Sequence, residues 1–132
     1  MTDRPKVSDC MARDLITLAP GMEINRALHI LLDRRISGAP VVDAGGALVG
    51  VLSKKDCLRA ALNACYYQDW GDSVADYMSR DVKTLDAGMD IVTAAEAFLK
   101  SPFRRFPVLS DRRLVGQVSR ADILGALAGL WR

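Results

Sequence analysis

The sequence predicts an α+β fold made of two copies of one β-α-β-β-α unit. Residues 7–11 (VSDCM) return as 74–78 (VADYM), and residues 40–42 (PVV) return as 107–109 (PVL), both displaced by 67 positions (74 minus 7, 107 minus 40). Residues 53–56 (SKKD) return as 119–122 (SRAD), displaced by 66 (119 minus 53). The lost residue falls in the glycine-rich loop after Asp43, where a deletion disturbs least. The two copies should form a pseudo-symmetric pair.

The length of the repeats predicts that they pack on each other. The chain has 132 residues, so each repeat has about 60, and a lone domain of that size buries little surface. We place the first repeat at residues 1–65 and the second at 74–132. The connecting segment 66–73 is too aromatic for a flexible linker, since it holds Tyr66, Tyr67 and Trp70. We expect it to continue the preceding helix and then pack as a strap.

Each repeat should open with a turn and a short extended piece, residues 15–18 and 82–85. A helix should follow, because apolar residues recur at positions i, i+3, i+4, i+7 and i+8. These residues are Ile24, Ala27, Leu28, Leu31 and Leu32 in the first repeat and Ile91, Ala94, Ala95, Phe98 and Leu99 in the second.

A β-hairpin and a second helix should complete each repeat. Residues 39–42 and 48–52 are rich in β-formers and flank a glycine turn, and residues 106–109 and 114–118 flank a polar turn in the same way. The closing helices carry an apolar face, formed by Leu58, Ala61 and Leu62 in the first repeat and by Ile123, Leu124 and Leu127 in the second.

The composition argues against several classes of protein. The net charge is only +2, from 18 basic and 16 acidic residues, so no strong field attracts nucleic acid or a membrane. No apolar run approaches the roughly 20 residues that cross a bilayer, and we expect a cytoplasmic protein. An odd number of cysteines without close pairing, Cys10, Cys57 and Cys65, indicates reduced thiols. With His29 as the sole histidine, a zinc site is not expected.

No motif for catalysis is visible, so we expect a protein that is not an enzyme and requires no cofactor. The sequence lacks the Gly-x-x-x-x-Gly-Lys-Ser/Thr loop, the Gly-x-Gly-x-x-Gly turn and the Gly-x-Ser-x-Gly nucleophile turn. Cys10 follows an acidic residue and has no nearby histidine, which favours a packed thiol over a reactive one.

The pattern Ser-x-x-Asp stands where a strand should end and a helix begin, at Ser53 to Asp56 and again at Ser119 to Asp122. One interpretation is a capping box, in which serine and aspartate satisfy backbone N–H groups of the first turn. The other is a ligand site, because an aspartate there can accept hydrogen bonds from the vicinal hydroxyls of a ribose. Recurrence at equivalent places in both repeats favours the second interpretation without excluding the first.

The combined pattern resembles the cystathionine β-synthase (CBS) domain. It comprises Val-x-Asp-x-Met, the stretch SGAPVVD at 37–43, and the stretch GALVGVLS at 46–53 with Asp56 after it, and the likeness extends from about residue 6 to residue 127. Tandem CBS domains form a Bateman module. The resemblance implies sheets packed face to face as a sandwich and a pseudo-twofold axis. It also implies binding of adenine nucleotides or related adenosyl ligands in two clefts between the repeats.

The resemblance also implies contact residues, transferred position by position. The ribose-contacting aspartate corresponds to Asp56 and Asp122, with Ser53 and Ser119 beside them. The remaining implied nucleotide contacts are Thr17, Ser37, Gly38, Ala39 and Pro40 in the first repeat and Thr84, Arg104, Arg105, Phe106 and Pro107 in the second.

The repeats diverge just before the first hairpin strand. The first repeat has Ser37-Gly38, and the second has Arg104-Arg105. A guanidinium group matches the oxygens of a phosphate, so we hypothesise unequal clefts, with one of these arginines on the phosphate side. The alternative is that both arginines are simply exposed at a turn.

The leading expectation is therefore a regulatory module that binds AMP, ADP, ATP or S-adenosylmethionine and signals to an unknown effector protein, since no effector domain is expected in the chain. The second expectation is a scaffold with non-functional clefts. In both cases a homodimer should form through the repeat helices, with the stripe Leu58, Ala61, Leu62 and Cys65 and the stripe Leu124, Leu127 and Trp131 as candidate surfaces. Core packing is the alternative for these stripes. Nucleic-acid binding is a third and weaker possibility.

Overall fold

A computed structural model describes residues 4–68 and 71–131, and within them it confirms the α+β class. The part of the connecting segment that contains Trp70 lies outside the described residues. The elements in chain order are α1 (Val7–Cys10), α2 (Ile24–Asp33), β1 (Gly38–Val42), β2 (Leu48–Ser53), α3 (Lys54–Tyr67), α4 (Val74–Tyr77), β3 (Leu85–Asp86), α5 (Ile91–Leu99), β4 (Arg105–Ser110), β5 (Arg113–Ser119) and α6 (Arg120–Ala128), followed by a single 3-10 turn at Gly129–Trp131.

The chain forms two compact units whose boundaries differ from those of the repeats. The central unit is Ile16–Val82, and the terminal unit joins Met1–Leu15 to Lys83–Arg132. The opening segment of each repeat therefore lies in the unit that the rest of the other repeat builds. Helix α1 packs with the second repeat, and α4 packs with the first.

The central unit is built on the antiparallel hairpin of β1 and β2, in which Gly38 pairs with Ser53 and Pro40 with Val51. The segment directly after α4 pairs with this hairpin, because Val51 and Ser79 exchange backbone hydrogen bonds of 3.0 and 2.9 Å. The core of this unit consists of Leu18, Ile24, Ala27, Leu31, Ala39, Val41, Leu52, Cys57, Ala60, Val74 and Met78.

The terminal unit repeats this arrangement with one additional strand. Its sheet has the order β3-β4-β5, with β3 parallel to β4 and β4 antiparallel to β5, where Arg105 pairs with Ser119. Ala12, just after α1, exchanges backbone hydrogen bonds of 2.8 and 2.9 Å with Gln117. The core consists of Val7, Met11, Leu85, Ile91, Ala94, Phe98, Phe106, Val108, Val118 and Ile123.

The extended pieces expected at 15–18 and 82–85 are largely wrong as strands. In the central unit only Leu18 bridges to Val41, and in the terminal unit β3 comprises only Leu85–Asp86. Only the last residue of each piece comes within hydrogen-bonding distance of the hairpin: the Leu18 N–H donates to the Pro40 carbonyl at 3.0 Å. The opening turns are also more ordered than expected, since each forms one turn of α-helix. The hairpins and the four longer helices are confirmed.

The apolar stripes of the closing helices face outward. Helix α3 buries its small residues Cys57, Ala60 and Ala64, whereas Leu58 is 70% exposed and Leu62 is 53% exposed. In α6 only Ile123 is buried, and Leu124 is 69% exposed. The core explanation of these stripes is therefore wrong for both exposed leucines of α3 and for Leu124. Helix α3 continues to Tyr67, as expected, but Tyr66 and Tyr67 are exposed.

Candidate functional site

Asp122 lies in the first turn of α6, directly after strand β5. Its Oδ2 accepts a hydrogen bond from the Ser119 N–H at 2.9 Å, and its own N–H donates to the Ser119 Oγ at 3.1 Å. This reciprocal pair is a capping box, which satisfies two N–H groups that have no partner inside the helix. Among the described residues, no hydrogen bond or ion pair engages the second carboxylate oxygen, Oδ1, so this oxygen can accept from a ligand.

Asp56 occupies the same position at the start of α3. Its Oδ2 accepts from both the N–H and the hydroxyl of Ser53 at 2.9 Å, and its N–H donates to the Ser53 Oγ at 3.1 Å. Its Oδ1 differs from that of Asp122, because the Arg59 guanidinium lies 3.2 Å away. The capping and ligand-site interpretations of Ser-x-x-Asp are thus compatible, since capping uses only one of the two carboxylate oxygens of the aspartate.

The capping box is not itself a mark of a ligand site. The Lys6 N–H donates to the Asp9 carboxylate at 2.8 Å at the start of α1, and the Ser73 N–H donates to the Asp76 carboxylate at 2.9 Å at the start of α4. The contact at Lys6 is only half of a capping box, since a lysine side chain cannot accept a hydrogen bond. Neither contact was among our expectations, although the Ser73-x-x-Asp76 spacing is visible in the sequence. Asp9 and Asp76 therefore provide internal controls that separate capping from binding.

The residues before the first hairpin strand lie beside these aspartates in each unit. The Lys54 N–H donates to the Ser37 carbonyl at 2.9 Å, and the Arg120 N–H donates to the Arg104 carbonyl at 3.0 Å. We call the first group, Ser37, Gly38, Ser53 and Asp56, the central site, and the second, Arg104, Arg105, Ser119 and Asp122, the terminal site. Each lies wholly within one unit.

The other predicted contacts divide into exposed and buried side chains. Thr17 is exposed and precedes Leu18, while Thr84 is half-buried and precedes β3. Ala39, Pro40 and Phe106 are buried, and Pro107 is half-buried. The Phe106 ring packs on Phe98, with ring centroids 4.7 Å apart, and on Phe103 at 5.8 Å. The side chains of Ala39 and Phe106 belong to the cores of their units, so a ligand can contact these two positions only through the backbone.

The two arginines of the terminal site are both exposed. Within residues 4–68 and 71–131, neither guanidinium group forms an ion pair or a hydrogen bond. Gly38, the counterpart of Arg105, has no room for a side chain, because a Cβ there would lie 2.9 Å from the Leu52 carbonyl oxygen. The terminal site thus carries positive charge that the central site cannot carry at that position.

The cysteines are not arranged for metal binding or catalysis. In the described part of the chain, no group of three or more His, Cys, Asp or Glu side chains could hold a metal ion. Burial, followed by the charges of Asp122 and Asp9, raises the pKa of the Cys10 thiol, and burial, followed by the charge of Asp56, raises the pKa of the Cys57 thiol. Both shifts favour the protonated, unreactive thiol.

We therefore expect one fast thiol in a titration with an aromatic disulfide at pH 8. Cys65 is exposed, whereas Cys10 is half-buried and Cys57 is buried. The thiolate is the reactive form, so the raised pKa values should slow the latter two further. The variant Cys65→Ser should lose the fast phase. A fast phase that persists in this variant would disprove the assignment.

A family model for the CBS domain matches the chain twice, over residues 7–63 and 74–129. The chain belongs to the CBS domain family. The resemblance inferred from the sequence is thereby confirmed, and the two matches correspond to the two sequence repeats. Among curated proteins, this CBS pair is 30% identical over 125 residues to the uncharacterised protein MJ1225 of Methanocaldococcus jannaschii. That alignment covers 95% of this chain but only 44% of the relative.

Solved structures of CBS pairs match the chain along almost its whole length. The structure of CBSX2 from Arabidopsis thaliana in complex with AMP is 28% identical, with a TM-score of 0.80, and the match covers 96% of this chain and 98% of that one. The CBS domain pair of protein MJ0100, in complex with 5′-methylthioadenosine and S-adenosyl-L-methionine, is 27% identical, with a TM-score of 0.75, over 97% and 99%. Each match therefore extends over both repeats rather than over a single one.

The helices of this CBS pair are short relative to a bilayer. Over the described residues, none combines the length and the apolar character needed to cross a membrane.

Proposed function

We propose that this CBS pair is a non-catalytic regulatory module that binds an adenosyl ligand at the central and terminal sites. The observation that carries the proposal is the position of Asp56 and Asp122 at helix starts. Each uses one carboxylate oxygen for capping, and over the residues that the structure describes the other oxygen is free in Asp122 and contacted only by Arg59 in Asp56. The two similar structures contain AMP in one case and 5′-methylthioadenosine with S-adenosylmethionine in the other. These ligands share an adenosine whose ribose carries vicinal hydroxyls, and a carboxylate is a suitable acceptor for such a diol.

The charge of the terminal site favours a ligand with a phosphate. AMP and S-adenosylmethionine differ at the 5′ position, where one carries an anionic phosphate and the other a cationic sulfonium. The free guanidinium groups of Arg104 and Arg105 match phosphate oxygens and would repel the sulfonium. We therefore expect the terminal site to prefer AMP, ADP or ATP. The central site has no arginine at the equivalent positions and should not discriminate in this way.

Calorimetric titration with AMP, ADP, ATP and S-adenosylmethionine tests the proposal. At least one of these should bind with measurable heat, and the nucleotides should bind more tightly than S-adenosylmethionine. Arg104→Ala with Arg105→Ala should reduce the preference for the phosphate-bearing ligands. If none of the four ligands binds, the nucleotide-binding proposal is wrong and the scaffold interpretation stands.

Signalling follows only if the ligand distinguishes two conformations. A ligand shifts a conformational equilibrium by no more than its difference in affinity for the two states. The proposed output is therefore a change in the affinity of an effector protein, and by linkage that effector must change the affinity for the ligand by the same factor. We place this activity in the cytoplasm, where adenine nucleotides are abundant.

The exposed stripes favour a homodimer as a second property. Leu58 and Leu62 of α3 and Leu124 of α6 are more than half exposed in the single chain, and Trp131 is 80% exposed. Exposed apolar side chains that share a helix face are typical of an interaction surface. The equivalent faces of the two closing helices supply such surfaces in both units.

The double variant Leu58→Glu with Leu124→Glu should shift the protein from dimer to monomer in sedimentation velocity. The introduced carboxylates would have to be buried without partners in the interface, which is costly. Leu99→Glu is the matched control, because Leu99 is 88% exposed and lies outside both stripes. A dimer that survives the double variant would show that the stripes are not the interface.

A further inference from the structure

The central and terminal sites differ in what contacts the ligand-facing oxygen of the aspartate. The third residue after Asp56 is Arg59, and its Nη1 lies 3.2 Å from the Asp56 Oδ1. The third residue after Asp122 is Gly125, which has no side chain to offer. In the described ranges, no cation pairs with Asp122.

The Arg59 contact occupies the same oxygen that a ribose would use. The other oxygen of Asp56 already accepts two hydrogen bonds from Ser53 in the capping box. A vicinal diol that binds Asp56 must therefore displace Arg59 or share Oδ1 with it. The Asp56 side chain is only 13% exposed, so little room is left for both partners.

We propose that Arg59 is a specificity-determining residue that masks Asp56 and makes the central site the weaker of the two for a ribose diol. This inference rests on the proposed function. The mask is modest because the Arg59 side chain is 54% exposed, and ion pairs of this kind contribute little in water. Its removal should therefore increase the affinity of the central site by about two- to fivefold.

Variants that leave one site intact isolate the effect. In an Asp122→Ala background, which retains the central site, Arg59→Ala should increase the affinity for AMP by about two- to fivefold, whereas Arg59→Lys should retain part of the mask. The affinity for 2′-deoxy-AMP, which lacks the diol, should not increase in parallel. A purely structural effect of Arg59 would change the affinities for both ligands alike.

The converse substitution transfers the mask to the terminal site. A Cβ at Gly125 would meet no atom within 4 Å, and Gly125 is exposed, so a longer side chain can extend into solvent. In an Asp56→Ala background, Gly125→Arg should weaken AMP binding by about two- to fivefold. Gly125→Ala is the matched control and should leave the affinity unchanged.

The outcomes separate the two proposals. The mask is wrong if Arg59→Ala leaves the affinity for AMP unchanged or lowers it. It is also wrong if Gly125→Arg and Gly125→Ala bind AMP with the same affinity. In either case nucleotide binding itself stands. A loss of affinity in Arg59→Ala would instead make Arg59 a ligand contact. If neither the unmodified protein nor any variant binds AMP, both the mask and the proposed function are overturned.

Discussion

Asp122→Ala is expected to weaken AMP binding at the terminal site by about 10- to 100-fold, since hydrogen bonds to a charged group contribute roughly 1.5–3 kcal/mol. Asp56→Ala should have a smaller effect, because Arg59 already competes for its Oδ1. The double variant should show no measurable binding. Calorimetry with AMP on the three variants provides the test.

The control for this prediction must remove a helix-capping carboxylate that does not contact the ligand. Asp76→Ala does so, because Asp76 accepts the Ser73 N–H at the start of α4 as Asp122 accepts the Ser119 N–H at the start of α6. Both alanine variants should lose about 0.5–1.5 kcal/mol of stability from the lost hydrogen bond to the backbone N–H of the N-cap serine, but only Asp122→Ala should lose affinity. If both variants bind AMP as the unmodified protein does, Asp122 is a helix cap and nothing more.

Gly116→Ala is expected to destabilise the terminal unit by about 1–3 kcal/mol through overpacking. A Cβ at this position would lie 2.5 Å from the Met11 Sδ and 2.8 Å from the Ala12 carbonyl oxygen. The methionine side chain can move, but the Ala12 carbonyl is held by a 2.9 Å hydrogen bond from the Gln117 N–H. The backbone must therefore shift. Gly50→Ala should act in the same way, since its Cβ would lie 2.7 Å from both the Met78 Sδ and the Ser79 oxygen.

Denaturant unfolding measures this cost, with Gly125→Ala as the control. Gly125 lies within α6 and has free space around it, so alanine there should be neutral or stabilise the helix by up to about 1 kcal/mol. An unchanged unfolding midpoint for Gly116→Ala would show that the opening segment does not pack on β5 as described.

The sequence predicted the elements better than the packing of the opening segments. Hairpins and long helices have local signals, such as the turn after Asp43 and the helical spacing from Ile24 to Leu32. No local signal in the sequence indicates that the opening segment of each repeat packs with the other repeat. Residues 7–11 and 74–78 are nearly equivalent, so each fits the same groove beside a glycine, Gly116 or Gly50. Packing within a repeat and packing across repeats therefore bury the same kinds of side chain.

The positions of the candidate residues and the difference in charge between the two sites follow from the sequence, whereas the contact of Arg59 with Asp56 was not predicted. The strand-to-helix junction fixes where Ser53 and Asp56 stand, and the pairing of β1 with β2 brings Gly38 opposite Ser53. The side-chain conformation of Arg59, in contrast, is not determined by these backbone elements. The i,i+3 spacing on helix α3 makes Arg59 and Asp56 neighbours. An exposed arginine can adopt many rotamers, however, so the spacing does not show which carboxylate oxygen it contacts.

The most direct test of the account compares two ligands that differ only in the ribose hydroxyls. The unmodified protein should bind AMP at least about tenfold more tightly than 2′,3′-dideoxy-AMP in calorimetric titration, because the dideoxy sugar offers no hydrogen bonds to Asp56 and Asp122. Equal affinities for the two ligands would contradict the claim that these aspartates hold a ribose.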